Sequence, residues 1–352
     1  MSKRSKQNSI RWFRTAVGTP LLLVAAALLT GSLLAPAAAQ AQVERDPAKV
    51  VGPGECAECH KDTAAIWRHT HHFATFREMP QSKKGIEIAQ KMGLRRIKEG
   101  SLCLDCHFTT QIKDGEREPI AGISCESCHG AGRDYLKVHS KFSGKKEGEE
   151  TKAEIAERWR KSEAGGMIRP YMMYRWAKNC YSCHVVPQEK LVNLGGHTAG
   201  SAFELVAWSQ GEVRHNVWYN KGKSNPPADL NQRRKMFVVG MAVELETALR
   251  AVGAATEKAT YAITMAKRAD IARKRFRQAT QLIGGGVPEM ASIVKAADGA
   301  ALKLNNKAQL DAAADAIGKA TQALVNKYDG GGFGGIDRAL PPESQWKGTP
   351  EK

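Results

Sequence analysis

Every cysteine in this 352-residue chain belongs to one repeated pattern, Cys-x-x-Cys followed at once by histidine. The four copies are Cys56-Ala57-Glu58-Cys59-His60, Cys103-Leu104-Asp105-Cys106-His107, Cys125-Glu126-Ser127-Cys128-His129 and Cys180-Tyr181-Ser182-Cys183-His184. Two thiols three residues apart lie on one side of a helical turn. They can reach the two vinyl groups on a porphyrin edge, while the adjacent imidazole passes beneath the ring to the iron. Zinc binding would not require histidine directly after each second cysteine. Disulfides would explain an even cysteine count but not the histidines. A thioredoxin-like redox motif would occur once, not four times. The pattern therefore predicts four covalently bound c-type haems, attached through Cys56, Cys59, Cys103, Cys106, Cys125, Cys128, Cys180 and Cys183. The proximal iron ligands are then His60, His107, His129 and His184.

Residues 1–41 read as a secretory signal peptide. Lys3, Arg4, Lys6, Arg11 and Arg14 precede an apolar run from Leu21 to Leu34, and small residues follow at Ala37–Ala39. No later segment has the length of apolar sequence a spanning helix needs. A periplasmic location is expected, with no transmembrane segment in the mature chain. The formal charge of +17 falls to +12 once the leader's five basic residues are removed. Haem propionates would offset most of that surplus, so it does not argue for a nucleic-acid partner.

Six histidines remain: His69, His71, His72, His139, His197 and His215. A second imidazole on an iron gives a six-coordinate centre suited to electron transfer, whereas a vacant position lets small molecules bind. His72, twelve residues after His60, His139, ten residues after His129, and His215 are the expected distal ligands. His69 and His71 read as solvated neighbours of His72 or as edge contacts to haem propionates. His197, in a glycine-rich loop, is either a fourth distal ligand or a pocket group beside an open iron. Met172 and Met173 read as core filler.

The chain resembles the tetrahaem cytochrome c-554 family over roughly residues 54 to 220. The resemblance is carried by Cys56–His60 with Trp67 and His72, by Gly122-Ile123-Ser124-Cys125-Glu126-Ser127-Cys128-His129-Gly130, and by His139, the motif ending at His184, and His215. It implies a mainly α-helical scaffold wrapped around closely packed haems. It also implies three bis-histidine haems and a five-coordinate second haem on His107, with His139 capping the first haem. His72 and His215 would cap the third and fourth, in an order left open. By resemblance the partners are a hydroxylamine oxidoreductase-like donor and an acceptor on a membrane quinone pathway. Nitric oxide reduction at the open haem is also implied. The extra His69, His71 and His197 depart from the pattern, and any of them could close the second haem.

The expected organisation is a linker at 42–53, a tetrahaem domain at 54–224 and a C-terminal helical region at 225–329, which begins at Asn225-Pro226-Pro227. The Lys- and Glu-rich stretch from 141 to 163 reads as a solvated face. Apolar residues at three- and four-residue steps predict a long helix from about Asp229 to Ile283, stopped by Gly284-Gly285-Gly286. Two shorter helical stretches follow, parted at Asn305-Asn306, the last running from Lys307 to Tyr328. Together they form a hairpin or bundle. A Gly/Pro-rich tail from 330 to 352 is expected to be flexible. The functional expectation is an electron carrier between redox partners. A haem enzyme acting on nitric oxide or a related nitrogen species, and an assembly subunit that oligomerises through its C-terminal helices, are the alternatives.

Overall fold

The computed structural model describes residues 45–99 and 101–350, so the leader lies outside the described residues. The fold is mainly α, as expected, with a single two-stranded sheet among the described residues. In that hairpin Thr109–Lys113 pairs antiparallel with Glu116–Ala121. The turn is Asp114-Gly115, both with positive φ, the dipeptide chemistry that a tight hairpin turn requires.

Each half of the chain is held together differently. Before residue 170 the side-chain core is small: Ala89, Ile97, Cys103, Leu104 and Phe108, with Phe76, Met79 and Leu94 against them. From Met173 onward there is one large continuous core. Its axis is the helix Leu230–Ala254, buried without interruption from Met236 to Val243, as a helix packed on several sides must be. Around it lie the helices Met173–His184, Thr260–Ile283 and Lys307–Lys327. Gly240 permits the closest approach, since a Cβ there would sit 2.7 Å from the Leu205 Cβ.

The boundary expected near Asn225 therefore does not divide the packing. The described residues fall in one compact unit, because the fourth motif's helix contributes Ala177, Tyr181 and Val185 to the same core as Val238, Val239 and Leu245. The long helix expected from Asp229 to Ile283 is also two helices, Leu230–Ala254 and Thr260–Ile283. The break is imposed from outside. Glu189 accepts hydrogen bonds from the Thr256 amide (2.9 Å) and hydroxyl (2.7 Å), and the Asn193 side chain caps the Tyr261 amide (2.9 Å). The tail expected to be flexible is ordered through 350. Phe333 and Ile336 are fully buried, and Arg234 grips the Asp337 carboxylate with two hydrogen bonds of 2.6 Å.

Candidate functional site

Three of the four motifs form a short helix or helix end with the histidine in its last turn: Ser101–His107, Cys125–His129 and Met173–His184. In the first motif Cys56 lies in the helix Pro53–Ala57, and the His60 amide donates to the Cys56 carbonyl (2.9 Å), which keeps the helical turn going to the histidine.

Each motif histidine faces one imidazole from elsewhere in the chain. Ring centres are 6.3 Å apart for His60 and His139, 6.4 Å for His107 and His197, 6.1 Å for His129 and His215, and 6.5 Å for His72 and His184. These gaps are too wide for ring contact and too uniform for chance packing. A metal–imidazole bond of about 2 Å on either side, with about 1.1 Å from nitrogen to ring centre, gives roughly 6 Å.

Local structure aims the rings. Nδ1 of His129 donates to the Ile168 carbonyl (2.9 Å), that of His139 to Tyr135 (3.2 Å), that of His197 to Thr198 (2.6 Å) and that of His215 to Val213 (2.7 Å). Nδ1 of His184 lies 2.7 Å from the Ser201 hydroxyl. Engaging Nδ1 in this way fixes the tautomer that leaves Nε2 for a metal. Burial, reinforced by neighbouring imidazoles, pushes His107, His129 and His184 down to about 4. Burial likewise lowers His60 and His72. These rings are neutral near pH 7, the form that binds a metal.

The surroundings of His72, His139 and His215 explain where these facing rings sit. The Ile123 amide donates to the His72 carbonyl (3.0 Å), and a Cβ on Gly122 would lie 2.2 Å from that same oxygen. Glycine at 122 is thus what lets the hairpin close against the His72 turn. Arg158 donates to the His139 carbonyl (3.0 Å) while bound to Glu150, and their side chains are only 8% and 2% exposed. The charged stretch expected to be solvated therefore includes a buried pair that anchors a ring. The tail supports His215. The Glu212 amide donates to the Lys347 carbonyl (2.9 Å), and the Arg214 guanidinium lies 5.5 Å from the Trp346 ring centre.

His69 and His71 join no ring pair. His69 bonds to the Ala65 carbonyl (2.9 Å), and the exposed His71 pairs with Glu212 (2.6 Å), which raises its pKa. His197 occupies the position opposite His107 that the resemblance leaves open.

Sequence reasoning overlooked Glu126, the first variable residue of the third motif. Its buried carboxylate accepts from the amides of Val51 (2.9 Å), Gly52 (2.7 Å) and Gly132 (2.7 Å), tying the approach to the first motif onto the third. Replacing Glu126 with Ala strands these donors. A loss of at least about 3 kcal/mol in unfolding free energy is expected by chemical denaturation, with Glu126→Gln in between.

The donor set fits haem better than the competing readings. All eight cysteines are unbridged. Among the described residues no group of three or more His, Cys, Asp or Glu could hold a metal by itself. Trp208, whose ring centre lies 4.9 Å from that of His184, buries an indole N–H with no partner in the protein. Residues 55–130 match the family model for cytochrome c554 and c-prime. Over those residues the chain is similar to that family. Cytochrome c-554 of Nitrosomonas europaea is 29% identical over 173 residues, which cover 46% of this chain and 66% of that protein. No solved structure matches. The family relation implies covalently bound c-type haem. Among the described residues no helix is long and apolar enough to cross a membrane.

Proposed function

We propose that this chain is an exported, periplasmic tetrahaem c-type cytochrome that carries electrons between redox partners through four bis-histidine haems. The observation that carries the reading is the set of four imidazole pairs at 6.1–6.5 Å, each joining one motif histidine to a different distal one. On this reading His60 pairs with His139, His107 with His197, His129 with His215 and His184 with His72. When bound, each haem supplies an iron that takes up and releases one electron.

The protein's part is to hold both axial rings in fixed orientation, so that oxidation and reduction need little movement. Phe203 (4.2 Å) and Trp208 (4.9 Å) pack on the His184 ring, and Trp218 (4.4 Å) packs on His60. Contacts between motifs suggest the order of the path. The Cys56 and Cys125 thiols lie close enough to interact, as do those of Cys106 and Cys183. Cys128 lies close enough to Cys180 and Cys183 for their charges to interact. In the loaded protein these sulfurs would be thioethers at haem edges, giving the spatial order first, third, fourth, second.

The hydroxylamine oxidoreductase-like donor and the quinone-pathway acceptor rest on the resemblance alone. The nitric oxide-reducing alternative needs an open iron on His107, and His197 stands where a substrate would bind. The assembly alternative is weakened because most apolar residues of the C-terminal helices pack within the chain, although Ile263, Ile271 and Leu282 remain exposed.

Intact mass of the secreted protein should show four added haems. Electron paramagnetic resonance of the oxidised protein should show low-spin iron only, with no carbon monoxide binding on reduction. A high-spin signal in the wild-type protein would sink the all-bis-histidine reading.

A further inference from the structure

Arg45 lies in none of the motifs, yet its guanidinium reaches two of them. Nη1 donates to the Asp105 carbonyl (2.7 Å) in the second motif and lies 3.4 Å from Sγ of Cys183 in the fourth. Nη2 donates to the Ser182 hydroxyl (3.1 Å) and to the Asn179 side chain. Asn179 in turn donates to the Ser127 carbonyl in the third motif. Arg45 also borders a cavity of about 510 Å³ lined by Asp105, Ser127 and Ser182, the residues just before the second cysteine of those three motifs.

Its oxygen acceptors are all neutral, and the Cys183 sulfur would be a neutral thioether once haem is attached. It forms no ion pair among the described residues, and the nearby carboxylates are already engaged. Asp105 is bound by Arg117 at 2.6 Å. Glu126 is held by the three amides described above. A fixed positive charge that no protein carboxylate cancels stabilises added electron density nearby, and more strongly in a partly buried site than in water.

We propose that Arg45 is a positioning residue for the electron: its charge raises the reduction potential of the haem held by Cys180, Cys183 and His184, and to a lesser degree that of the second haem. The inference rests on the tetrahaem reading above. Each affected centre gains one electron on reduction, and no proton or ligand changes place. Arg45 thus helps set where an electron rests along the path. The first motif, which Arg45 does not contact, serves as an internal reference.

The test is a spectroelectrochemical titration of the haem-loaded full-length protein, with haem content counted first. In Arg45→Gln at least one of four potentials should fall by a tenfold change in the reduced-to-oxidised ratio, about 59 mV for one electron. At least one should stay in place, and Arg45→Lys should recover most of the shift. Four unmoved potentials, or four that move equally, overturn the proposal. If Arg45→Gln fails to load haem, Ser182→Asp decides, because it keeps the guanidinium and sets a carboxylate against it. The same selective fall supports the proposal and unmoved potentials overturn it. Wild-type protein with fewer than four haems would instead refute the tetrahaem reading, a separate outcome from the haem count.

Discussion

Removing residues 226–352 is expected to abolish stable folding of the fourth haem site rather than to release an independent cytochrome. Val185, Leu205 and Val206 are fully buried, within a core that the helix Leu230–Ala254 completes. Exposing side chains of this size costs about 1.5–3 kcal/mol each. Three of them alone approach the roughly 5–15 kcal/mol that holds a typical domain together. Haem staining and a count per chain after secretion should show a product that is degraded or lacks haem at Cys180 and Cys183. A truncated chain with four haems and wild-type melting would show that the two regions fold independently. The point version of this experiment is Glu246→Ala. Glu246 is fully buried at the same junction, bound to Lys178 (3.0 Å), Arg250 (3.0 Å) and the Tyr174 hydroxyl (2.8 Å). Removing one partner of a buried ionic cluster costs about 3–5 kcal/mol, visible as a lower melting temperature at unchanged haem content.

His197→Ala should convert one haem in four to a high-spin, five-coordinate centre that binds carbon monoxide or nitric oxide. The wild-type protein should bind neither. The ring of His197 stands 6.4 Å from His107, and its removal costs one local bond, Nδ1 to the adjacent Thr198 carbonyl (2.6 Å), while the amide bond to the Leu191 carbonyl (3.2 Å) stays, so the fold should remain intact. His69→Ala and His71→Ala should leave the spin state unchanged, because neither ring faces another imidazole. If His197→Ala stays wholly low-spin while one of those two becomes high-spin, the assignment of His197 is wrong.

Much of the secondary structure could be read from the chain. Gly284 does end a helix, and the stretch from Lys307 is helical to Lys327. The hairpin at 109–121 escaped notice although Asp114-Gly115 announced it, because the flanking strands lack an alternating apolar pattern. The break after Ala254 was not readable locally. Its capping groups, Glu189 and Asn193, lie more than sixty residues away. The ordered tail was obscured for a similar reason: glycines and prolines signalled freedom, while two apolar residues, Phe333 and Ile336, were enough to anchor it.

Under the proposed tetrahaem function, the sequence alone determined where haem would attach. Cys-x-x-Cys-His confines two thioethers and one axial ligand within five residues, so the chemistry is complete inside a single turn. The choice of the opposite ligand belongs to the tertiary structure. Six spare histidines are chemically alike, and nothing local separates His197 from His71. The choice follows from chain segments far apart: Lys347 bracing the His215 turn, Gly122 admitting the hairpin against His72, and Arg158 holding His139. An imidazole becomes a ligand when the fold sets its ring about 6 Å from another, and only packing over long sequence separations fixes that distance.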